Sequence, residues 1–222
     1  MPKLVTIEPY TDAHGNTVVG TPLSVSKSSI TFKGKNNRLE IADGVSLDGV
    51  NFVFDSNNGQ ITIGENSVYK GMLRVGFGSR IAIGRSLSVT ARCYISAMEG
   101  ASVTIGDDCM FASANEIRAD DAHPIFDATT KKRLNKSMSI VIGDHVWLSG
   151  QVTVSKGASI GSGSVIGYRS YVRHAIPKSC IAAGAPAKVV REGIVWDKKH
   201  LGPFADGSME ELGDLGRPFW QE

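Results

Sequence analysis

The chain has 222 residues, 41% of them apolar and 21% charged, with a formal net charge of +2. That is one globular domain of moderate size rather than a disordered chain, and a charge this small gives no ground for a nucleic-acid partner or an anionic membrane. Twenty-five glycines against 7% aromatics point to a turn-rich repeat rather than a helical bundle, and no apolar run reaches membrane-spanning length.

In chain order, the opening MPKLVTIEPY has no basic stretch followed by an apolar one, so no signal peptide is expected. Residues 1–36 are irregular, with strand-like pieces around 23–25 and 30–32, and read as an N-terminal cap or first coil. A repeat then runs over 37–191. It is spelled out by QITIGE at 60–65, RIAIGR at 80–85, SVTIGD at 102–107 and SIVIGD at 139–144, with LEIA at 39–42 as a fainter copy. The longest unbroken register is Ile142, Leu148, Val154, Ile160, Ile166 and Val172, each six apart. Two places before them stand Ile140, Val146, Val152, Ala158, Ser164 and Ser170.

A period of six fits neither a helix nor one long alternating strand. It fits short strands joined by sharp corners, with residues two apart on the same inward side. Glycine after the aliphatic, as at Gly143, Gly161 and Gly167, suits a corner where a Cβ would crowd. Three such sides close a triangular coil, and stacked coils bury a continuous aliphatic column. The fold class expected is all-β, a left-handed parallel β-helix. The inward grid is 41/47/53, 63/69/75, 83/89/95, 105/111/117, 142/148/154, 160/166/172 and 181/187. The extra residues between triplets then number four, two, four, nineteen, none and three, each insertion falling after the third face. The longest extrudes a loop over 118–139. Cys93 and Cys109 fall in the small inward slot, which gives them a packing role. Three cysteines without CxxC spacing read as cytoplasmic thiols rather than a disulfide frame or a zinc site, and no metal is expected. Residues 192–222 form a short C-terminal tail. Turns are expected near its glycines and one short helix over 208–212, capped by Ser208 with Glu211 three residues on. Trp196, Phe204, Phe219 and Trp220 are expected to fold back on the prism or on a neighbouring subunit.

The grid, the long loop and the segment GAPAKVVR at 184–191 together resemble the hexapeptide-repeat acyltransferases over roughly residues 37–191. IGDHVWLS at 142–149 and IGSGSVIG at 160–167 are similar to the galactoside and maltose acetyltransferase branch. DAHPIFD at 121–127 is more similar to capsular and surface-polysaccharide O-acetyltransferases, including those acting on polysialic acid. The resemblance implies transfer of an acetyl group from acetyl-CoA, the co-substrate, to a carbohydrate hydroxyl.

That chemistry needs a base, an oxyanion donor and a groove for CoA. His123 is the candidate base: imidazole titrates near neutral pH, it lies in the extruded loop, and its place matches the family's loop histidine. The plain alternative is a solvated loop histidine before a turn proline. Asp120 and Asp121 stand near enough to orient its ring, and Asn115 and Glu116 are other candidates. His145, at a corner, is the rival base; His174 follows Arg173 beside the CoA candidates, while His14 and His200 lie in cap and tail. Trp147 matches a corner aromatic of the family and either walls the site, stacks on the sugar or pantetheine, or plugs the corner. With His123 it looks like the pair of the polysialic-acid enzymes. Gly150 and Tyr168 are eighteen apart and stack on successive coils, where the resemblance implies contact with the acetyl end of CoA. The Gly150 amide is a candidate oxyanion donor, and Tyr168 departs from the family's usual alanine. Arg173, Lys188 and Arg191 are candidates for the CoA phosphates, the last two because the family's terminal segment lies at the nucleotide end; surface solvation is the alternative.

Other classes fit less well. A γ-class carbonic anhydrase needs zinc-binding histidines, and no His-x4-His exists. An ice-binding solenoid wants a threonine ladder, but the equivalent positions are Thr62, Ala82, Thr104 and Val141. A bifunctional nucleotidyl enzyme needs a further domain. An N-acetyltransferase of a nucleotide-linked amino sugar, or a non-enzymatic solenoid, is the remaining alternative. A homotrimer is expected, because triangular prisms pack about a threefold axis, with each site shared by two subunits.

Overall fold

The computed structural model describes residues 3–201. They form a parallel β-solenoid of about seven turns with three sheets as its faces and no helix. The first face stacks strands such as Arg38–Ile41, Gln60–Ile63, Ser102–Ile105 and Ile140–Ile142. The second stacks Ser46–Asp48, Val68–Tyr69, Met110–Phe111, Trp147–Leu148 and Val165–Ile166. The third stacks Asn51–Phe54, Gly71–Val75, Cys93–Ala97, Glu116–Arg118 and Thr153–Ser155.

The six-residue register sets which side chains the prism buries. Ile142, Leu148, Val154, Ile160, Ile166 and Val172 all point inward, and so do the six residues two places before them. Corners close because their amides reach the coil above: Gly143 N donates to Ile160 O at 2.8 Å and Gly161 N to Ile176 O at 2.9 Å. A Cβ on Gly143 would lie 2.7 Å from Ser162 N, and one on Gly161 2.4 Å from Lys178 N, so the stacking itself demands glycine there. The small slot accepts polar residues where they bond between coils. Asn115 Oδ1 accepts from Val152 N at 2.8 Å, and Ser164 Oγ donates to Pro177 O at 2.8 Å. Cys93, Cys109 and Cys180 are buried and unpaired, and burial pushes the first two thiols up to about 12.

The structure corrects the grid at two places. At 53 the inward residues are Phe52 and Phe54, and Ile95 pairs with Leu73 rather than Val75, which pairs with Ala97. The early third-face strands are longer and bury two positions each, so the corner before them is shorter than six-residue counting allows. At the other end Ile181 is half-buried while Cys180 and Ala182 face inward. Ile176 stacks on Ile160 and opens the last coil, so no insertion follows Val172. Ala187 is not an inward coil position. It begins the strand Ala187–Glu192, which turns back antiparallel on Cys180–Gly184 and covers that open edge.

The first coil starts before residue 37: Thr17–Val19, Ser24–Ser26 and Ser29–Phe32 already pair in parallel with the next coil. Lys3–Leu4 and Tyr10–Thr11 cap it in antiparallel fashion. Of the aromatic tail residues, Trp196 does fold back on the prism and is buried. The helix expected at 208–212, and Phe204, Phe219 and Trp220, lie outside the described residues. No helix among the described residues is long and apolar enough to cross a membrane.

Candidate active site

The chain leaves the third face after Glu116–Arg118 and returns at Ile140–Ile142, so the extruded loop hangs on the edge between faces three and one. Its root is pinned at several points. Ser96 Oγ donates to Asp120 Oδ2 at 2.6 Å, and Ala122 N donates to Asp120 Oδ1 at 3.0 Å. Buried Asn135 accepts from Ile125 N at 2.6 Å and donates to His123 O at 2.8 Å and to Asp121 Oδ2 at 3.0 Å. Lys156, from the coil above, also donates to Asp121, and its ammonium holds that carboxyl below the usual range. Farther along, Arg133 Nη1 and Ser137 Oγ donate to Glu99 at 2.6 and 2.9 Å, and these bonds pull the Glu99 carboxyl down to about 2.

His123 is therefore fixed by its backbone, with its N donating to Asp121 O at 2.7 Å. Its side chain is exposed, and its ring makes no hydrogen bond among the described residues. The ring is not hydrogen-bonded to Asp120 or Asp121, whose carboxylates instead accept from Ser96, Ala122, Lys156 and Asn135. Asn135, Lys156, Glu99 and Arg133 carried no sequence signal, because the loop pairs they make span from 10 to 38 residues with no repeat to align them. Asn115 is a buried coil-to-coil link, and Glu116 lies exposed beside Arg118.

The rival His145 is buried and engaged at both ring nitrogens. It sits at a corner with φ of 51° and is 2% exposed, its Nδ1 2.7 Å from Asp108 Oδ2 and its Nε2 3.0 Å from Trp196 O. Both ring nitrogens are thus occupied by acceptors of the chain itself.

Trp147 stands in a second-face strand rather than at a corner, its side chain outward and half-buried. Two lines run upward from it. Trp147 pairs with Val165, Val165 with Ile181, and Ile181 with Arg191, an outward apolar strip about 14 Å long at strand spacing that ends in a guanidinium. Beside it, Gly150 and Tyr168 stack as the spacing predicts: a Cβ on Gly150 would lie 3.1 Å from the Tyr168 ring, and Arg169 N donates to Gly150 O at 3.1 Å. Next along this line, a Cβ on Gly167 would meet Ala183, which pairs with Lys188. The Gly150 amide donates to nothing among the described residues. The structure thus gathers Trp147, Gly150, Tyr168, Lys188 and Arg191 along the second face.

It does not bring His123 to them. Gly150 and Tyr168 occupy the edge between faces two and three, His123 the edge between three and one, and no hydrogen bond or ring contact joins them among the described residues. Arg173 also stands apart from the strip. With His174 it lines a cleft of about 610 Å³ at the loop root, beside Asp121, Lys156 and Tyr171.

A solenoid of hexapeptide coils with one pinned histidine loop and a polar-ended strip agrees with the acyltransferase class that the sequence resembles. No family model matches the chain. It is 40% identical over 144 residues to the polysialic acid O-acetyltransferase of Escherichia coli O1:K1, covering 64% of this chain but 47% of that protein, so it spans about half the length of that relative. It is 30% identical over 206 residues to the polysialic acid O-acetyltransferase of Neisseria meningitidis, covering 89% of this chain and 94% of that one. It is 35% identical to the galactoside O-acetyltransferase of Escherichia coli K12, over 67% of this chain and 71% of that one. Among solved structures, the polySia-specific acetyltransferase NeuO matches with a TM-score of 0.80 at 37% identity over 89% and 92% of the two chains. The polysialic acid O-acetyltransferase OatWY matches with 0.82 at 28% identity over 90% and 94%. The chain belongs to the hexapeptide-repeat O-acetyltransferases.

Proposed function

We propose that this protein transfers the acetyl group of acetyl-CoA to a sugar hydroxyl of a bacterial surface polysaccharide, of the sialic-acid polymer class named for its relatives. The observation that carries the reading is that one solenoid presents both an exposed imidazole on a pinned loop and, on another part of its surface, the Trp147-to-Arg191 strip. His123 takes the hydroxyl proton as the oxygen attacks the thioester carbonyl. The Gly150 amide donates to the oxyanion of the tetrahedral intermediate. As the carbon–sulfur bond breaks, the imidazolium returns its proton to the leaving thiolate. The apolar strip suits the pantetheine arm, Lys188 and Arg191 suit the phosphates at its end, and Arg173 meets CoA only where the arm crosses toward the loop root. Trp147 walls the acetyl end.

Because base and strip lie on different edges of one prism, the reading includes a homotrimer. In it the loop of one subunit faces the strip of its neighbour. The three unpaired thiols fit a reducing compartment, and we place the reaction in the cytoplasm. The test is release of CoA thiol from acetyl-CoA with sialic-acid polymer, neutral polysaccharides and nucleotide-linked amino sugars as separate acceptors. Release should depend on the acidic polymer. Release with only an amino-sugar nucleotide would replace O-acetylation by N-acetylation.

A further inference from the structure

After the returning strand Ala187–Glu192 closes the second-face edge, the chain continues as a strap along the corner between faces one and two. Ile194 N donates to Ser179 O at 3.0 Å. Trp196 stacks on the His145 ring with centroids 3.9 Å apart, and its Nε1 donates to His145 O at 3.0 Å while His145 Nε2 meets Trp196 O. Lys198 Nζ then donates to Asp108 Oδ1 at 2.6 Å and to Ser86 O at 3.2 Å. Asp108 is thereby shared between Lys198 and His145.

The strap adds no strand to a sheet edge: it follows a corner, and the second-face edge is already covered by Ala187–Glu192. What it does is put a second indole against Trp147, ring centroids 5.7 Å apart and planes at 43°. Trp147 is held along its own sheet by Met110 below and Val165 above. Sideways, toward the first face, Trp196 stands against it. An outward half-buried indole without that neighbour would share its position among several rotamers.

We infer that Trp196 is a positioning residue for acetyl transfer, clamped on His145 by the strap so that it holds the Trp147 indole in one orientation over the strip. This rests on the reading that places Trp147 in the site. Aromatic pairs favour offset or tilted contacts at this separation, so the two indoles restrain each other's orientation without a hydrogen bond between them. A reacting geometry lost by a small displacement costs turnover rather than affinity for the cofactor arm.

The experiment uses the full chain carrying Trp220→Phe, so that Trp147 and Trp196 alone report. Circular dichroism should show an exciton couplet from the two indoles, absent in Trp196→Phe and in Trp147→Phe. With acetyl-CoA and sialic-acid polymer, Trp196→Ala should lower kcat by about tenfold or more while the KM for acetyl-CoA moves less than about twofold. Trp196→Phe should recover most of the loss. Lys198→Ala, which loosens the strap without removing an aromatic ring, should weaken the couplet and lower kcat in the same direction, and serves if Trp196→Ala fails to fold. A folded Trp196→Ala, or Lys198→Ala with a weakened couplet, that keeps its kcat within about twofold overturns the proposal. Full turnover by Trp147→Phe, with Trp196 intact, would instead remove Trp147 from the site and defeat the reading beneath it.

Discussion

An imidazole acts as a base only where its lone pair is unspent and its backbone is held. His123 meets both conditions, because the neighbouring carboxylates bind the loop and leave its ring alone. His123→Ala should lower turnover by about 10²-fold or more, the scale for losing a general base, while acetyl-CoA binding, followed by calorimetry, persists. Unchanged turnover would sink His123 as the base. Lys188 and Arg191 make the opposite prediction. Replacing either by alanine should raise the KM for acetyl-CoA more than it lowers kcat, since a phosphate contact far from the acyl carbon contributes binding common to ground and transition states. A selective fall in kcat would move them out of that role.

Among the elements, the extruded loop is the one whose stability can be addressed separately from the solenoid. Its outer anchor is Glu99, which accepts from Arg133 and Ser137. Its carboxyl is depressed from an ordinary 4.5 to about 2, so the anchor is at full strength above the ordinary value, where the group is charged with the loop docked or free. The anchor weakens as pH falls from 4.5 and is gone below about 2. Protection of the Ser137 amide, its exchange rate taken relative to the intrinsic rate at each pH, should therefore fall through that window in the wild-type chain, ahead of that of the coil amides. Glu99→Gln should exchange fast at neutral pH and lose the pH dependence. Equal exchange in both would show that Glu99 does not anchor the loop. Asn135 carries the inner anchor. Its replacement by alanine leaves the Ile125 amide without its side-chain acceptor, a loss of about 1–3 kcal/mol wherever water cannot reach that amide.

At the scale of the whole molecule, the His123 loop and the Gly150–Tyr168 line lie on different edges of one prism. The trimer reading makes this testable by complementation. Inactive His123→Ala subunits mixed with inactive Gly150→Trp subunits should recover part of the activity, because some interfaces then pair an intact loop with an intact strip. No recovery after proven subunit exchange, or an active species that sediments as a monomer, would end the shared-site model.

The sequence by itself determined the solenoid, since a six-residue period of aliphatics is a local rule repeated at every corner, and every grid position from Ile140 to Val172 is buried. The stack of Gly150 on Tyr168, the departure of the loop after the third face and the packing of Cys93 and Cys109 follow from the same counting. Where corners change length the counting fails: Val53 gives way to Phe52 and Phe54, and Ile181 to Cys180 and Ala182, because one residue of slip turns a strand's side chains over. Family resemblance supplied His123, Trp147 and the CoA candidates, which periodicity alone would not have singled out. Only the tertiary structure decided what surrounds them. The Asn135 and Lys156 bonds to the loop, the closure of His145 between Asp108 and Trp196, and the strap against Trp147 join residues separated by non-repeating chain. No spacing encodes such contacts; they exist because the coils bring distant corners within hydrogen-bond reach.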